Sequence, residues 1–167
     1  MSACTLSRSA SLPAARSGAR RSRHRARAQP CSGAAAGAGA GGLLAAPGDP
    51  SLVLLTSVTM EKEAKREFMR AATVLIAESL GKPQSYVAVA VQDGADVMWA
   101  GEECACALGN LYSLGAIGLE SNEKVSAGLC ELLGEFGVPA DRYYINFWDI
   151  GPRENCGYNG KTFGSSA

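Results

Sequence analysis

The stretch Pro50-Ser-Leu-Val-Leu-Leu-Thr-Ser-Val58 is the first part of the chain with the composition of a protein core. Its branched apolar residues follow one another closely, which is typical of a strand buried on both faces. Proline has no backbone N–H to donate to a sheet, so only the first position of the strand suits Pro50. A cut directly before Pro50 would give this residue a free secondary amine, which is a potential base.

Residues 1–49 differ from the rest of the chain in composition and charge. They contain seven arginines and one acidic residue, a net charge of +6, whereas residues 50–167 contain nine Lys or Arg and fifteen Asp or Glu, a net charge of −6. The segment has too few large apolar side chains to fold alone, so we expect it to be disordered. We therefore divide the chain into a leader, residues 1–49, and a folded domain, residues 50–167.

The leader is rich in Arg and Ser and poor in acids, a composition typical of a transit peptide. It predicts import into a plastid (chloroplast) or mitochondrion, with a cytoplasmic or secreted protein as the alternative. A basic arm for nucleic acid is another interpretation of residues 20–27. The acidic domain would repel phosphate, and the leader has no aromatic side chain to stack on bases, so we expect no nucleic-acid partner.

The remaining composition bounds the kind of protein. Residues 50–167 suffice for one domain with a core, and no apolar run approaches the roughly 18 to 20 residues that span a membrane. The only histidine lies in the leader, and the four cysteines of the domain contain no C-x-x-C pair, so we expect no metal site. Cys104 and Cys106 are interpreted as a redox pair or, more commonly, as small apolar core residues.

Two strand-helix-strand units follow one another along the domain. Apolar residues at spacings of three and four predict a helix over residues 60–80, which Gly81 and Pro83 end. Strands are predicted at 86–91 and, after the Asp93-Gly94 turn, at 97–100. The second unit consists of a strand at 107–114, a helix from its cap at Ser121 to about residue 136, and a strand at 143–148.

This repetition predicts the fold class, α/β (α+β): duplicated β-α-β units that form a four-stranded mixed sheet with both helices on one face. The other face would be bare although its strands are apolar. In so small a domain we expect other copies of the same chain to cover it.

Asn146 lies within an aromatic strand, where alternation places it on the same side as Tyr144 and Trp148. An amide at this position packs poorly. It is either a satisfied buried amide, an edge residue or part of a functional site.

Five segments in order carry a resemblance to a known family. From Pro50 to Phe163 the chain resembles macrophage migration inhibitory factor and D-dopachrome tautomerase, of the tautomerase superfamily. The segments are Pro50-Ser-Leu-Val-Leu54, Gly81-Lys-Pro-Gln-Ser-Tyr-Val-Ala-Val89, Leu111-Tyr-Ser-Leu-Gly-Ala-Ile-Gly118, Asp141-Arg-Tyr-Tyr-Ile-Asn-Phe-Trp-Asp149 and Asn155-Cys-Gly-Tyr-Asn-Gly-Lys-Thr-Phe163. The resemblance implies the duplicated sheet above, assembled as a homotrimer.

The resemblance also implies a keto-enol tautomerase that needs no cofactor and acts on small aromatic α-keto acids such as phenylpyruvate. Pro50 matches the catalytic base and Lys82 the cation beside it. Matches to the substrate pocket are the wall residue Leu114, the polar groups Tyr144 and Asn146 from a neighbouring subunit, and the aromatic rim, Tyr86, Tyr158 and Phe163. A buried amine beside a lysine stays neutral near pH 7 and can take a proton from carbon.

Departures from the family pattern limit which properties of the family can be expected of this chain. Asp49 rather than a methionine precedes Pro50, so a cut between the two residues is required. Gly109 stands where some members have the second cysteine of a C-x-x-C, which argues against oxidoreductase activity. Ser51, Tyr112 and Cys156 also differ, so substrate preference does not follow. The alternative function is a non-catalytic, cytokine-like or binding protein in which Pro50 stays inside the chain.

Overall fold

The computed structural model describes residues 49–166. Six main elements run along the chain, followed by a short hairpin. They are β1 (Ser51–Thr56), α1 (Lys62–Leu80), β2 (Ala88–Gln92), β3 (Ala107–Ser113), α2 (Leu119–Gly134), β4 (Tyr143–Asp149), β5 (Gly157–Tyr158) and β6 (Lys161–Thr162). The predicted leader lies outside the described residues, apart from Asp49.

Four of these strands form one mixed sheet in the order β2-β1-β3-β4. β1 is parallel to β2, β3 is parallel to β4, and the two halves meet where β1 runs antiparallel to β3. Each parallel pair is joined through one helix, as a crossover connection requires. The predicted fold class and the duplication are confirmed.

Both helices contribute to one hydrophobic core on one face of the sheet. Alternation along β1 turns Leu52 and Leu54 to this face, where both are buried. α1 contributes Phe68 and Ile76 and α2 contributes Leu129 and Leu133, with further core residues from β3 and β4. Gly81 ends α1 in the left-handed conformation, with φ 62°, as the sequence predicts.

The opposite face of the sheet is open. Val53 on β1, Leu108 on β3, and Tyr144 and Trp148 on β4 all keep more than a third of their surface exposed. Within one chain the strands are therefore buried on one face only, and β2 is a half-exposed edge strand. A bare apolar face is what the topology predicts, whereas its cover by other copies stays a prediction.

Two local predictions were wrong. Residues 97–100 form no strand: Trp99 makes an isolated bridge to Glu102 across a tight turn whose Gly101 has φ 82°. α2 begins at Leu119 after Gly118, not at a Ser121 cap, because the Ser121 hydroxyl donates to the Ala116 and Gly118 carbonyls instead of accepting from an N–H.

Within residues 49–166 no helix is long and apolar enough to cross a membrane. The same part of the chain brings no three His, Cys, Asp or Glu side chains into a metal-binding cluster.

Candidate active site

The residues predicted to do the chemistry come together at one end of the sheet, where β1 and β2 begin and β3 and β4 end. Pro50 immediately precedes β1 and is fully buried. Its carbonyl accepts a 2.9 Å hydrogen bond from the Ala88 N–H at the start of β2, which anchors the proline to the edge strand. The nitrogen of Pro50 is joined to Asp49 in this chain and is therefore an amide.

Lys82 reaches this end of the sheet from the turn after α1. The left-handed Gly81 redirects the backbone, and the Lys82 N–H returns to the Ala77 carbonyl at 2.9 Å. The side chain then extends to the loop after β3, where Nζ donates a 2.7 Å hydrogen bond to the Leu114 carbonyl. The turn that ends α1 and the loop after β3 together hold the ammonium, so Lys82 and Leu114 belong to one site.

The surroundings of Lys82 lower the pKa of its ammonium. Burial is the main cause, and the Arg153 guanidinium adds repulsion. The Asp149 and Asp49 carboxylates oppose both effects by favouring the charged lysine. Two cations and two anions thus lie near one another beside the start of β1, and removal of Asp49 would leave the two cations with Asp149 as the one remaining anion among these four groups.

Asp149 is held in its ionised form by the backbone. Its Oδ1 accepts hydrogen bonds from the Gly151 N–H at 2.9 Å and the Gly115 N–H at 3.1 Å, and these two contacts, with a smaller contribution from Lys82, lower the pKa of the carboxyl. The carboxylate therefore ties the end of β4 to the loop that carries Leu114.

Three aromatic side chains form one cluster beside Pro50. The ring centroid of Tyr86 lies 5.4 Å from that of Tyr158 and 6.2 Å from that of Phe163, and the last two rings stack at 5.7 Å. The turn before β2 supplies Tyr86, and the C-terminal segment supplies the other two rings. The Phe163 N–H donates to the Cys156 carbonyl at 3.0 Å and closes the hairpin of this segment, while the ring contacts with Tyr86 hold the hairpin against the site. The structure thus brings together all three predicted rim residues.

A cavity of about 450 Å³ lies against this cluster. Asp49 is in its wall: Oδ2 accepts from the Ser51 hydroxyl at 3.4 Å and from the Cys156 thiol at 3.7 Å. Burial raises the pKa of that thiol, and the Asp49 charge adds to the shift. The cavity is lined by Asp49, Ser51, Ser85, Tyr86, Val87, Ala88, Cys156, Gly157, Tyr158 and Phe163.

Sequence reasoning missed the charges around Lys82. Asp49 was noted as the residue before a cleavage site but not as part of the pocket. Arg153 has no signal in local periodicity, since it lies in a turn about 70 residues after Lys82. The one sequence feature that could have pointed to Arg153 is its position just before the segment from Asn155 to Phe163 that matches the family.

Tyr144 and Asn146 do not join this cluster within one chain. They lie on the open face of the sheet, where the Tyr144 ring packs on Trp99 with 4.5 Å between centroids. The Asn146 amide donates to the Asn110 side chain at 3.3 Å, which also receives the Trp148 indole N–H at 3.2 Å. Asn146 is thus an exposed amide with a partner, and its arrival at a neighbouring subunit's pocket stays a prediction.

The described residues can perform a limited set of tasks. Lys82 and Arg153 offer positive charge for a carboxylate, and the aromatic cluster offers apolar surface for a ring. Pro50 is buried at the start of β1, and its neighbour Asp49 both lies near Lys82 and lines the cavity beside the aromatic cluster. Only the bond to Asp49 prevents its nitrogen from being basic.

Comparison with known proteins agrees with this arrangement. The family model for macrophage migration inhibitory factor (MIF) matches residues 50–164. A MIF homolog of Trichuris trichiura is 42% identical over 98 residues, which cover 58% of this chain and 85% of the relative, and MIF of Rattus norvegicus is 38% identical over 97 residues, 58% and 84% of the two chains. The crystal structure of a MIF homologue from Prochlorococcus marinus superposes with a TM-score of 0.64 at 31% identity, covering 68% of this chain and 99% of that one. The chain belongs to the macrophage migration inhibitory factor family.

Proposed function

We propose that this protein is a keto-enol tautomerase for small aromatic α-keto acids, of the phenylpyruvate or dopachrome type, once the chain begins at Pro50. The observation that carries the proposal is the burial of Pro50 at the one end of the sheet that also holds Lys82 and the aromatic cluster. Membership in the family supports the same class of reaction.

Pro50 acts as the general base in this proposal. A secondary amine that is buried and lies near the positive charges of Lys82 and Arg153 has a lowered pKa, because burial and like charge both disfavour its protonated form. It is therefore neutral near pH 7 and takes a proton from the carbon next to the substrate carbonyl. The protonated amine then gives this proton to the oxygen of the former carbonyl, so that the enol forms. No cofactor is needed.

The substrate is recognised at both of its ends. Lys82 pairs with the carboxylate through a charge-assisted hydrogen bond, and Leu114 forms the adjoining wall. Tyr86, Tyr158 and Phe163 contact the ring. Tyr144 and Asn146 reach the same pocket from the next subunit of a homotrimer, since both lie on the open sheet face.

The mature enzyme arises by removal of residues 1–49 in a plastid or mitochondrion. In the uncut chain Asp49 lines the cavity with its carboxylate bonded to Ser51 and Cys156. This fit favours a second function, a non-catalytic binding protein in which Pro50 remains an amide and Asp49 occupies the pocket permanently.

Activity measurements on three proteins separate the two functions. We expect the chain that begins at Pro50 to tautomerise phenylpyruvate, and the full chain to be nearly inactive because its proline nitrogen is an amide. The Asp49→Asn full chain is the matched control, since it removes the carboxylate but keeps the amide. Equal activity of the full chain and the Pro50 chain, with the leader intact throughout, would show that the amine is not the base.

A Pro50→Gly variant of the shorter chain completes the series. It retains a terminal amine that is primary and more flexible, so we expect partial activity. A gain of activity in the Asp49→Asn full chain would instead mean that Asp49 merely blocks a pocket with another base.

A further inference from the structure

The peptide bond between Asp49 and Pro50 is of a kind that occurs once in this chain. Seven prolines are present, and Pro50 is the only one that follows an acidic residue. An Asp–Pro bond is the peptide bond that hydrolyses most readily in acid, because the aspartate side chain can attack its own main-chain carbonyl. The proline amide is tertiary, and its nitrogen leaves readily once it is protonated. This reactive pair lies at the one bond whose cleavage gives Pro50 a free amine.

The carboxylate of Asp49 is held beside this bond by two donors. Its Oδ2 accepts a hydrogen bond from the Ser51 hydroxyl at 3.4 Å. Because Ser51 follows Asp49 by two residues, this contact turns the carboxylate along the chain toward Pro50. The Cys156 thiol, directly before β5, donates to the same oxygen at 3.7 Å. Contacts from two distant segments therefore orient the side chain of Asp49.

Pro50 is fixed on the other side of the bond. It is fully buried, and its carbonyl accepts a 2.9 Å hydrogen bond from the Ala88 N–H at the start of β2. The folded domain thus holds both the attacking carboxylate and the leaving nitrogen. An intramolecular reaction is faster when its groups are held in this way than when they belong to a flexible chain.

The surroundings of the bond offer water and positive charge. Asp49 lines the cavity of about 450 Å³, which has room for several water molecules at about 30 Å³ each. The Lys82 ammonium lies near enough to Asp49 for the carboxylate to raise the pKa of the lysine, against the stronger lowering by burial. A nearby cation favours the negative charge that develops on a carbonyl oxygen under attack.

We propose that the folded chain cleaves itself between Asp49 and Pro50. Both donors contact Oδ2 of Asp49, so Oδ1 attacks the main-chain carbonyl carbon of the same residue and forms a five-membered cyclic anhydride. The bond from this carbon to the Pro50 nitrogen breaks, its electron pair stays on nitrogen, and the nitrogen takes one proton from solvent to become a secondary amine. One water molecule then opens the anhydride, which leaves two carboxyl groups on Asp49 of the released leader.

This self-cleavage supplies the amine on which the tautomerase function above depends, and it rests on that function only for the use of the amine. It also removes Asp49 from the cavity wall, where the carboxylate is bonded to Ser51 and Cys156 in the uncut chain. One reaction therefore creates the base and clears its pocket.

Intact mass spectrometry of the purified full chain, kept in mildly acidic buffer with peptidase inhibitors, measures the cleavage. We expect fragments 1–49 and 50–167 to appear at a first-order rate that is independent of protein concentration. The rate should exceed that of the same chain unfolded in guanidinium chloride by at least about 10-fold. Equal rates in the folded and unfolded chains would overturn the proposal, as would a full chain that stays intact.

Two variants of the full chain test the attacking group. Asp49→Glu keeps the negative charge but must close a larger ring from a more flexible side chain, so we expect a rate at least about 10-fold lower. Ser51→Ala removes the hydroxyl that orients Oδ2 and should slow the cut several-fold. Cleavage of Asp49→Glu at an unchanged rate would contradict the proposal, because a contaminating peptidase or another nucleophile would then make the cut.

Ser85→Ala is the matched control for Ser51→Ala. It removes a hydroxyl from the wall of the same cavity that makes no hydrogen bond to Asp49 within residues 49–166, so the rate should not change. Thermal unfolding shows that each variant is folded under the conditions of the assay. Equal slowing by both serine variants would contradict the role of the Ser51 contact.

The cleavage assay uses no substrate, so it can fail separately from the tautomerase function. A chain that cleaves itself at Pro50 but does not tautomerise phenylpyruvate would support the self-cleavage and contradict the tautomerase. A full chain that stays intact, measured beside an active chain produced with Pro50 as its first residue, would contradict the self-cleavage alone.

Discussion

At the scale of single residues, the site depends on how Lys82 is held. Its ammonium donates to the Leu114 carbonyl and lies near the Arg153 guanidinium. In the proposed reaction it acts both on a substrate carboxylate and on the amine of Pro50. Both tasks require positive charge at one position, and burial lowers the pKa of the group that supplies it. The two tasks can be separated by pH, because the amine of Pro50 must be deprotonated to act as a base, whereas Lys82 must be protonated to bind a carboxylate.

Replacing Lys82 by Ala in the Pro50 chain is expected to lower kcat/KM by about 10- to 100-fold, since a charge-assisted contact is worth roughly 1.5–3 kcal/mol. The acid limb should move to higher pH, because loss of a neighbouring cation raises the amine pKa. Lys124→Ala, which removes an exposed lysine paired with Glu120 on α2, is the control and should change neither quantity. Steady-state kinetics over a range of pH measure both.

A second consequence concerns the alkaline limb. The lysine loses its charge as pH rises through its lowered pKa, so KM for a carboxylate substrate should rise at a lower pH than an ordinary lysine would predict. Lys82→Arg keeps its charge at every accessible pH and should remove this rise. If KM increases equally at high pH in both proteins, a group other than Lys82 causes the alkaline limb.

At the scale of elements, the aromatic wall depends on the hairpin β5–β6. This hairpin is only two residues per strand, and it docks through Phe163, which is buried, while Tyr158 remains 55% exposed and stacks on it. The buried ring thus anchors the segment, and the exposed ring is available to a substrate.

Tyr158→Ala is therefore expected to raise KM for phenylpyruvate by several-fold without unfolding the domain, because an exposed ring contributes little to the core. An α-keto acid without a ring should be affected less, and comparison of the two substrates isolates the aromatic contact. Tyr158→Phe keeps the ring and should behave as the unchanged protein. Equal losses for both substrates would contradict a role in ring recognition.

At the scale of the whole molecule, the open sheet face is the basis for predicting an assembly. Leu108, Tyr144 and Trp148 are exposed on a face that the helices do not reach. The Pro50 chain is expected to sediment as a trimer at micromolar concentration, since cover by two further copies would bury this apolar surface. Leu108→Glu should weaken the trimer and, with it, the activity that depends on Tyr144 and Asn146.

Leu119→Glu is the matched control for this experiment. Leu119 is 79% exposed at the start of α2, which covers the other face of the sheet, so a charge there should leave the oligomer intact. A monomeric Pro50 chain would contradict the assembly and the supply of pocket residues from a neighbour.

Sequence patterns predicted the layers of the molecule because burial repeats with the period of each element. The apolar run after Pro50 identified β1 as a strand, although within one chain only the face of Leu52 and Leu54 is buried. Gly81 marked the end of α1 through its positive φ. Two of the misses depend on distant parts of the chain: residues 97–100 pair with no strand within residues 49–166, and Arg153 approaches Lys82 only through the tertiary fold.

The most direct test of the account is the first residue of the protein isolated from its source as an active phenylpyruvate tautomerase. Mass spectrometry of the amino-terminal peptide identifies that residue, and the same sample gives the activity. The account predicts a chain that begins at Pro50. An equally active protein that begins between residues 32 and 48 would contradict it, because its Pro50 nitrogen would still be an amide.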